Sequence, residues 1–132
     1  MATNTAGTTA RQLPFQAINF FRKTITFADA GTSFTLGILP AGATILMSTS
    51  GIQINTVFDG TTPNADIGVT GTTQKWASAL DLDAAVAWLP LDVDTAVRTV
   101  TVDTPIIVTV TAAGAAAGEA EVIVTYIPDI DR

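Results

Sequence analysis

"PIIVTVTAAGAAAGEAEVIVTYI", residues 105–127, is the stretch on which the fold turns. Val108 and Val110 alternate with Thr109 and Thr111, and further on Ala120, Val122 and Val124 alternate with Glu119, Glu121 and Thr125. A period of two puts successive side chains on opposite faces of a pleated strand, so one face is apolar and the other polar. Thr, Val and Ile lose rotamer freedom in a helix and fit the pleated surface well. Pro105 suits a strand start, where no N–H is needed. The spacing predicts strands over 105–112 and 119–127. With "AGAAAG", 113–118, as a tight connection, the two read as a hairpin.

The same alternation extends towards the N-terminus. Threonine occurs 23 times, often trading places with Val or Ile. "VRTVTV", 97–102, predicts a strand with Val97, Val100 and Val102 mostly apolar. "KTITFA", 23–28, predicts another with Ile25 and Phe27 on one face, and "SFTLGIL", 33–39, groups Phe34, Leu36 and Ile38. "LPAGA", 39–43, is a turn in which Pro40 presets φ and Gly42 takes positive φ. A long strand is predicted over 44–58 with Ile52, Ile54 and Phe58 inward, bent at Gly51. "NADIGV", 64–69, offers a short returning strand. Residues 75–89 are the only helix-like segment: Trp76, Leu80 and Ala84 share a helical face, but Asp81 and Asp83 interrupt it. At most one helical turn is expected there. Seven or eight antiparallel strands with turns between them argue for an all-β chain, a β-sandwich of jelly-roll type.

With 132 residues, the chain fits one sandwich domain, 21–132, preceded by an extended arm, 1–20. Residues 1–12 are too poor in apolar side chains to offset ordering entropy alone. Residues 13–21, "LPFQAINFF", then concentrate half of the six phenylalanines. Phe20 and Phe21 fit the start of a core strand, whereas Arg11, Leu13, Pro14, Phe15 and Ile18 fit an arm that anchors on a partner. A mean hydropathy of +0.43 is high for a soluble monomer and favours assembly. Residues 1–10 lack a secretory-signal pattern, and no apolar run nears the roughly 20 residues that span a bilayer.

Much chemistry is excluded by composition. The chain has no His and no Cys, which removes the commonest general base, the commonest metal ligand and any thiolate site. A net charge of −6 argues against a nucleic-acid-binding surface. Glu119 and Glu121 share a strand face at a spacing that nominally suits a glycosidase pair, but charged residues on an outer face are ordinary. Asp81/Asp83, Asp92/Asp94 and Asp129/Asp131 are oxygen-rich pairs without the Ca²⁺-loop pattern of Gly and Glu, and read as solvated loops. Ser33, Ser48, Ser50 and Ser78 have no histidine to relay a proton. Trp76 and Trp88 offer sugar-stacking planes, with core or interface burial the simpler reading. The polar, glycine-studded stretch 57–71 lacks a Gly-Lys phosphate loop and reads as turn chemistry around a strand. No catalytic residue, metal or cofactor is expected.

Three motifs in order, "LGILPAGA" at 36–43, "NADIG" at 64–68 and "GEAEVIVTY" at 118–126, resemble those of small tailed-bacteriophage structural proteins, the capsid cement or decoration proteins. The resemblance spans about residues 25–127. It implies a jelly-roll sandwich, made in the host bacterial cytoplasm, that binds the outside of the virion capsid and bridges capsomers. The implied partners are the major capsid protein and further copies of itself, as a homodimer or homotrimer, with no nucleic acid or membrane. A tail- or fibre-associated adhesin for host glycans is the alternative.

Overall fold

A computed structural model describes residues 17–93 and 97–128. Among the described residues nine strands run in chain order: β1 (Asn19–Thr26), β2 (Thr32–Leu39), β3 (Thr44–Ile45), β4 (Gly51–Thr56), β5 (Thr61–Val69), β6 (Thr72–Asp81), β7 (Trp88–Pro90), β8 (Thr104–Ala113) and β9 (Glu119–Ile127). One sheet has the order β1-β9-β4-β7, with β3 pairing the last residues of β9; the other has the order β2-β8-β5-β6. All pairings are antiparallel.

The pairings are nested. β1 pairs β9, β2 pairs β8, β4 pairs β7 and β5 pairs β6, so the chain is one long hairpin folded over on itself. Its tip is Thr70-Gly71, where Gly71 takes φ +81° and Val69 pairs Thr72. Rolled up, the hairpin gives the two layers of a jelly roll, one of five strands with β3 and one of four. Every connection except β5–β6 and the β3–β4 step crosses between layers.

The core lies between the layers. Ile25, Ile52, Ile54, Val122, Val124 and Ala120 of one sheet meet Ile67, Ala65, Ile106, Val108 and Val110 of the other, all fully buried. Phe58, Trp76 and Leu82 close it from the connections and β6. Fully burying each Ile, Val or Phe contributes about 1.5–3 kcal/mol, so the alternation is the main source of the sandwich's stability. The inward positions read from 119–127 and from Ile52, Ile54 and Phe58 are therefore where the structure has them.

Several expectations are corrected. β8 and β9 do not form a hairpin. They belong to different sheets, and 113–118 carries the chain across the sandwich, held by Asp59, whose carboxylate accepts the N–H groups of Ala116 and Ala117 at 2.7 Å. No helix forms over 75–89; β6 continues to Asp81 and Leu82 is buried beyond it. An extra residue in β6, beside Ala79 at φ +52°, places Leu80 opposite Ala65 while Ala77 stands opposite Ile67. That bulge puts buried Ala77 and Leu80, three apart, on one inward face, a spacing that mimics a helical period. Residues 97–102 make only a bridge, Thr99 to Thr44, with Val97 and Val102 outward. Leu36 is an extra residue in β2, so the parity flips and Leu39, not Ile38, enters the core. Phe27 sits in a short 3-10 turn, half-exposed.

The predicted strand 44–58 is broken into β3 and β4 by a 3-10 turn, Met47–Thr49. The break would leave Thr125 of β9 without its ladder partner. Ser50 supplies one: the Thr125 N–H donates to the Ser50 hydroxyl at 2.8 Å, while Leu46 N–H donates to the Thr125 carbonyl at 3.0 Å. Ser50 is the one fully buried polar side chain among the described residues. Gly51 follows because a Cβ there would overlap the Leu89 carbonyl of β7.

Removing a buried partner costs the desolvation of the group left behind. Ser50→Ala is expected to lower unfolding free energy by about 1–3 kcal/mol in urea titrations. Ser48→Ala, at an exposed position of the same turn, is expected to change it by less than about 0.5 kcal/mol.

Candidate functional site

Nested pairing sorts the connections to two ends. The connections 27–31, 57–60, 82–87 and 114–118 lie at one end. The 40–43 turn, the 70–71 tip and the 91–103 segment lie at the other, with Ala17 and Pro128 leaving beside them. This second end is called the terminal end below.

Large apolar side chains left in water concentrate there. Val97 and Val102 are 68% and 65% exposed, Ile18 and Ile38 more than half exposed, and Phe20, one strand residue in, is 63% exposed. Single exposed apolar residues are ordinary, but several at one end mark a contact surface. Each has a local cause. Ile38 is turned out by the β2 bulge, and Ile18 precedes β1. Val97 and Val102 flank buried Val100, which is fixed by Ala43 and Gly42 backbone bonds at 3.0 and 2.7 Å. Trp76 pins the segment by donating its indole N–H to the Val97 carbonyl at 3.2 Å. Between this segment and the β5–β6 tip runs a groove of about 410 Å³, lined by Val69, Lys75, Val97, Val100, Val102 and Thr104 among others.

Of the arm residues, Ile18 is exposed at the terminal end; Arg11, Leu13, Pro14 and Phe15 lie outside the described residues. Phe21 instead packs inward, its ring stacked on Tyr126 at 5.0 Å and lying over Gly37, where a Cβ would collide with it. Lys23, on the same face of edge strand β1, places its ammonium 3.9 Å above the Phe34 ring. An inward-pointing charge on an edge strand opposes edge-to-edge aggregation.

The acidic residues serve as staples. Asp29 accepts the Thr26 N–H, Asp66 the Ala79 N–H, Asp92 the Ser78 N–H and Asp103 the Ala41 N–H, at 2.7–3.0 Å. Asp59 does this twice, and those two backbone bonds hold its carboxyl below the usual carboxylate range. The Asp83 N–H likewise lowers Asp81, whose carboxylate in turn raises Asp83 through the hydrogen bond they share. That pair lines a solvent-open concavity with Thr62 and Ala79, both at positive φ. Among the described residues, no three acidic groups converge as a metal site. Asp94, Asp129 and Asp131 lie outside the described residues.

Glu119 and Glu121 lie on the outer face of the first sheet, and Glu121 is ion-paired with Arg22. The register places Thr24, Glu121, Gln53 and Trp88 in one row across four strands, so the carboxylates stand on a sheet face without a facing wall. Trp76 is wholly buried and Trp88 partly exposed, so the two form no shared stacking platform. The signal that sequence reasoning missed was Val97 and Val102, which were grouped with Val100 as apolar strand residues but flank the one that is buried.

Because folding depresses the Asp59 pKa, its contribution is present above the unfolded carboxylate value and is lost as pH falls through the folded one. Asp59→Ala is expected to melt at lower temperature than the wild type at pH 7. The gap should close as pH falls from about 5 to about 2 in calorimetric scans.

Neither a protein-family profile nor a curated protein matches the chain. Solved structures do. A chain of the cyanophage Pam1 capsid asymmetric unit superposes with a TM-score of 0.63 at 21% identity, covering 85% of this chain and 85% of that one. A chain of the acidic stable capsid of the Helicobacter pylori bacteriophage KHP30 superposes with a TM-score of 0.62 at 18% identity, covering 83% and 86%. At such identities the likeness establishes a shared fold.

Proposed function

We propose that the chain is a bacteriophage virion structural protein, a cement or decoration protein that binds the capsid exterior by its terminal end and bridges capsomers. The observation that carries this reading is the fold shared over 85% of both chains with a component of the Pam1 capsid. Near-equal coverage on both sides makes that chain about as long as this one, the size of an accessory subunit. The major capsid protein and further copies are the partners. Synthesis is in the host cytoplasm.

The chemistry agrees with such a role. Without His or Cys no Ser–His or Cys–His relay can form, and Asp29, Asp59, Asp66, Asp92 and Asp103 are engaged by backbone N–H groups. A protein that binds only the assembled lattice stabilises it by mass action. Many copies holding adjacent subunits add avidity without any new contact. What this demands is a rigid slab with an adhesive end. The sandwich supplies the slab, and Ile18, Phe20, Ile38 and the arm residues Arg11, Leu13, Pro14 and Phe15 supply the adhesive.

Gold labelling or cryo-electron microscopy of virions is expected to find copies distributed over the whole head. Labelling confined to the tail would favour the adhesin. The double variant Ile18→Asp/Phe20→Asp is expected to keep its melting temperature within a few degrees and to bind heads at least tenfold more weakly. That loss corresponds to about 1.4 kcal/mol or more, which burial of one or two such side chains contributes.

A further inference from the structure

A second hollow, of about 380 Å³, opens beside β3 at the terminal end. It is lined by buried Ile45, Met47 and Leu91, by half-buried Leu46 and by exposed Arg98. Among the described residues Arg22 is ion-paired with Glu121, Lys23 lies over Phe34 and Lys75 over Trp76, whereas Arg98 makes neither kind of contact. An apolar hollow beside a cation suits a segment that carries an apolar side chain next to a carboxylate.

Three stretches outside the described residues join the structure at this end: 1–16, 94–96 and 129–132. Residues 94–96, Asp-Thr-Ala, have a carboxylate but no large apolar side chain. The first stretch has Leu13 and Phe15, but its one charged side chain is Arg11, which repels Arg98. It also enters at Ala17, on the far side of β9 from β3. Residues 129–131, Asp-Ile-Asp, have both features: Ile130 stands between two carboxylates.

β9 delivers that segment to the hollow. Ile127 pairs Thr44, and Thr44 bridges Thr99, so two strand spacings, about 10 Å, separate Ile127 from the stretch that carries Arg98. Counted from Ile127, Asp129 extends at most about 7 Å, Ile130 about 10 Å and Asp131 about 14 Å. Asp129 therefore reaches β3, and Ile130 and Asp131 reach the stretch beyond it. Pro128, lacking an N–H, cannot extend the ladder, so the chain leaves β9 here. Tethering favours this segment over a second copy's, because a short link acts as an effective concentration of about millimolar order.

We infer that residues 129–131 fold back over β3 of the same chain, with Ile130 seated against Met47 and Leu91 and the flanking carboxylates facing Arg98. The hollow is a docking site for this acidic, apolar-centred segment, which straps a strand only two residues long. An exposed ion pair is weak, so burial of Ile130 holds the segment and the charges select the hollow. The contact involves no capsid, so it stands or falls separately from the decoration reading.

Methyl-labelled full-length protein, without heads, tests this by nuclear Overhauser spectroscopy. Ile130 is expected to show contacts to Met47 and Leu91 that persist on dilution and are absent between labelled and unlabelled copies. Arg98→Gln and Asp129→Asn/Asp131→Asn are each expected to weaken them by about two- to fivefold, the range an exposed ion pair allows. Asp94→Asn is expected to leave them unchanged. Ile130 signals of a free chain, with no contact to the hollow, would overturn the inference. So would contacts to Met47 from Leu13 or Phe15 instead, contacts found only between copies, or contacts indifferent to Arg98→Gln.

Discussion

β9 is paired along both of its edges, and the rest of the molecule depends on that double pairing. β1 holds one edge from Glu119 to Tyr126; β4 and then β3 hold the other. A strand flanked in this way closes the sheet only when the first and last segments of the chain have met. The partners of Phe21 and Val124 are over one hundred residues apart. Loop-closure entropy must be lost before such contacts repay it, so folding is expected to be slow for the chain's size. Once formed, the outermost pair locks the inner ones. The ladder on β9 is interrupted at the break between β3 and β4, where a buried serine hydroxyl repairs it.

From that nesting follows the polarity of the molecule. A hairpin folded over on itself sends its tip, its long 91–103 segment and both outgoing chain segments to one end. Aspartates bonded to backbone N–H groups brace both ends, Asp29 and Asp59 at the other end and Asp92 and Asp103 at this one. Exposed Ile18, Phe20, Ile38, Val97 and Val102 gather at the terminal end. Lys23, turned inward over Phe34, protects the β1 edge against strand pairing with another chain. The shell-binding role proposed above draws on that exposed apolar end.

How much of this was legible depends on whether a segment keeps strict parity. β9 does, and its bounds, 119–127, are as read from the alternation. β8 and the inward set Ile52, Ile54 and Phe58 are equally plain. Where one residue is inserted, parity fails. Leu36 reverses the faces of β2, and the bulge beside Ala79 makes β6 resemble a helix. Pairing partners were less legible still. Two good strands around a glycine-rich link look like a hairpin, and nothing local distinguishes that from a crossing held by Asp59, 57 residues away in sequence from Ala116. The candidate site was half visible, through the apolar cluster that includes Ile18. Val97 and Val102 were hidden because exposure there is set by the bridge to β3, a tertiary fact.

The nested pairing itself is most directly tested by nuclear Overhauser contacts from the backbone of β9. The account predicts that Val122 and Ile123 show cross-strand contacts to Lys23 and Arg22 on one side and to Ile52 and Gly51 on the other. Contacts from β9 to β8 in hairpin register, with none to β1, would contradict it.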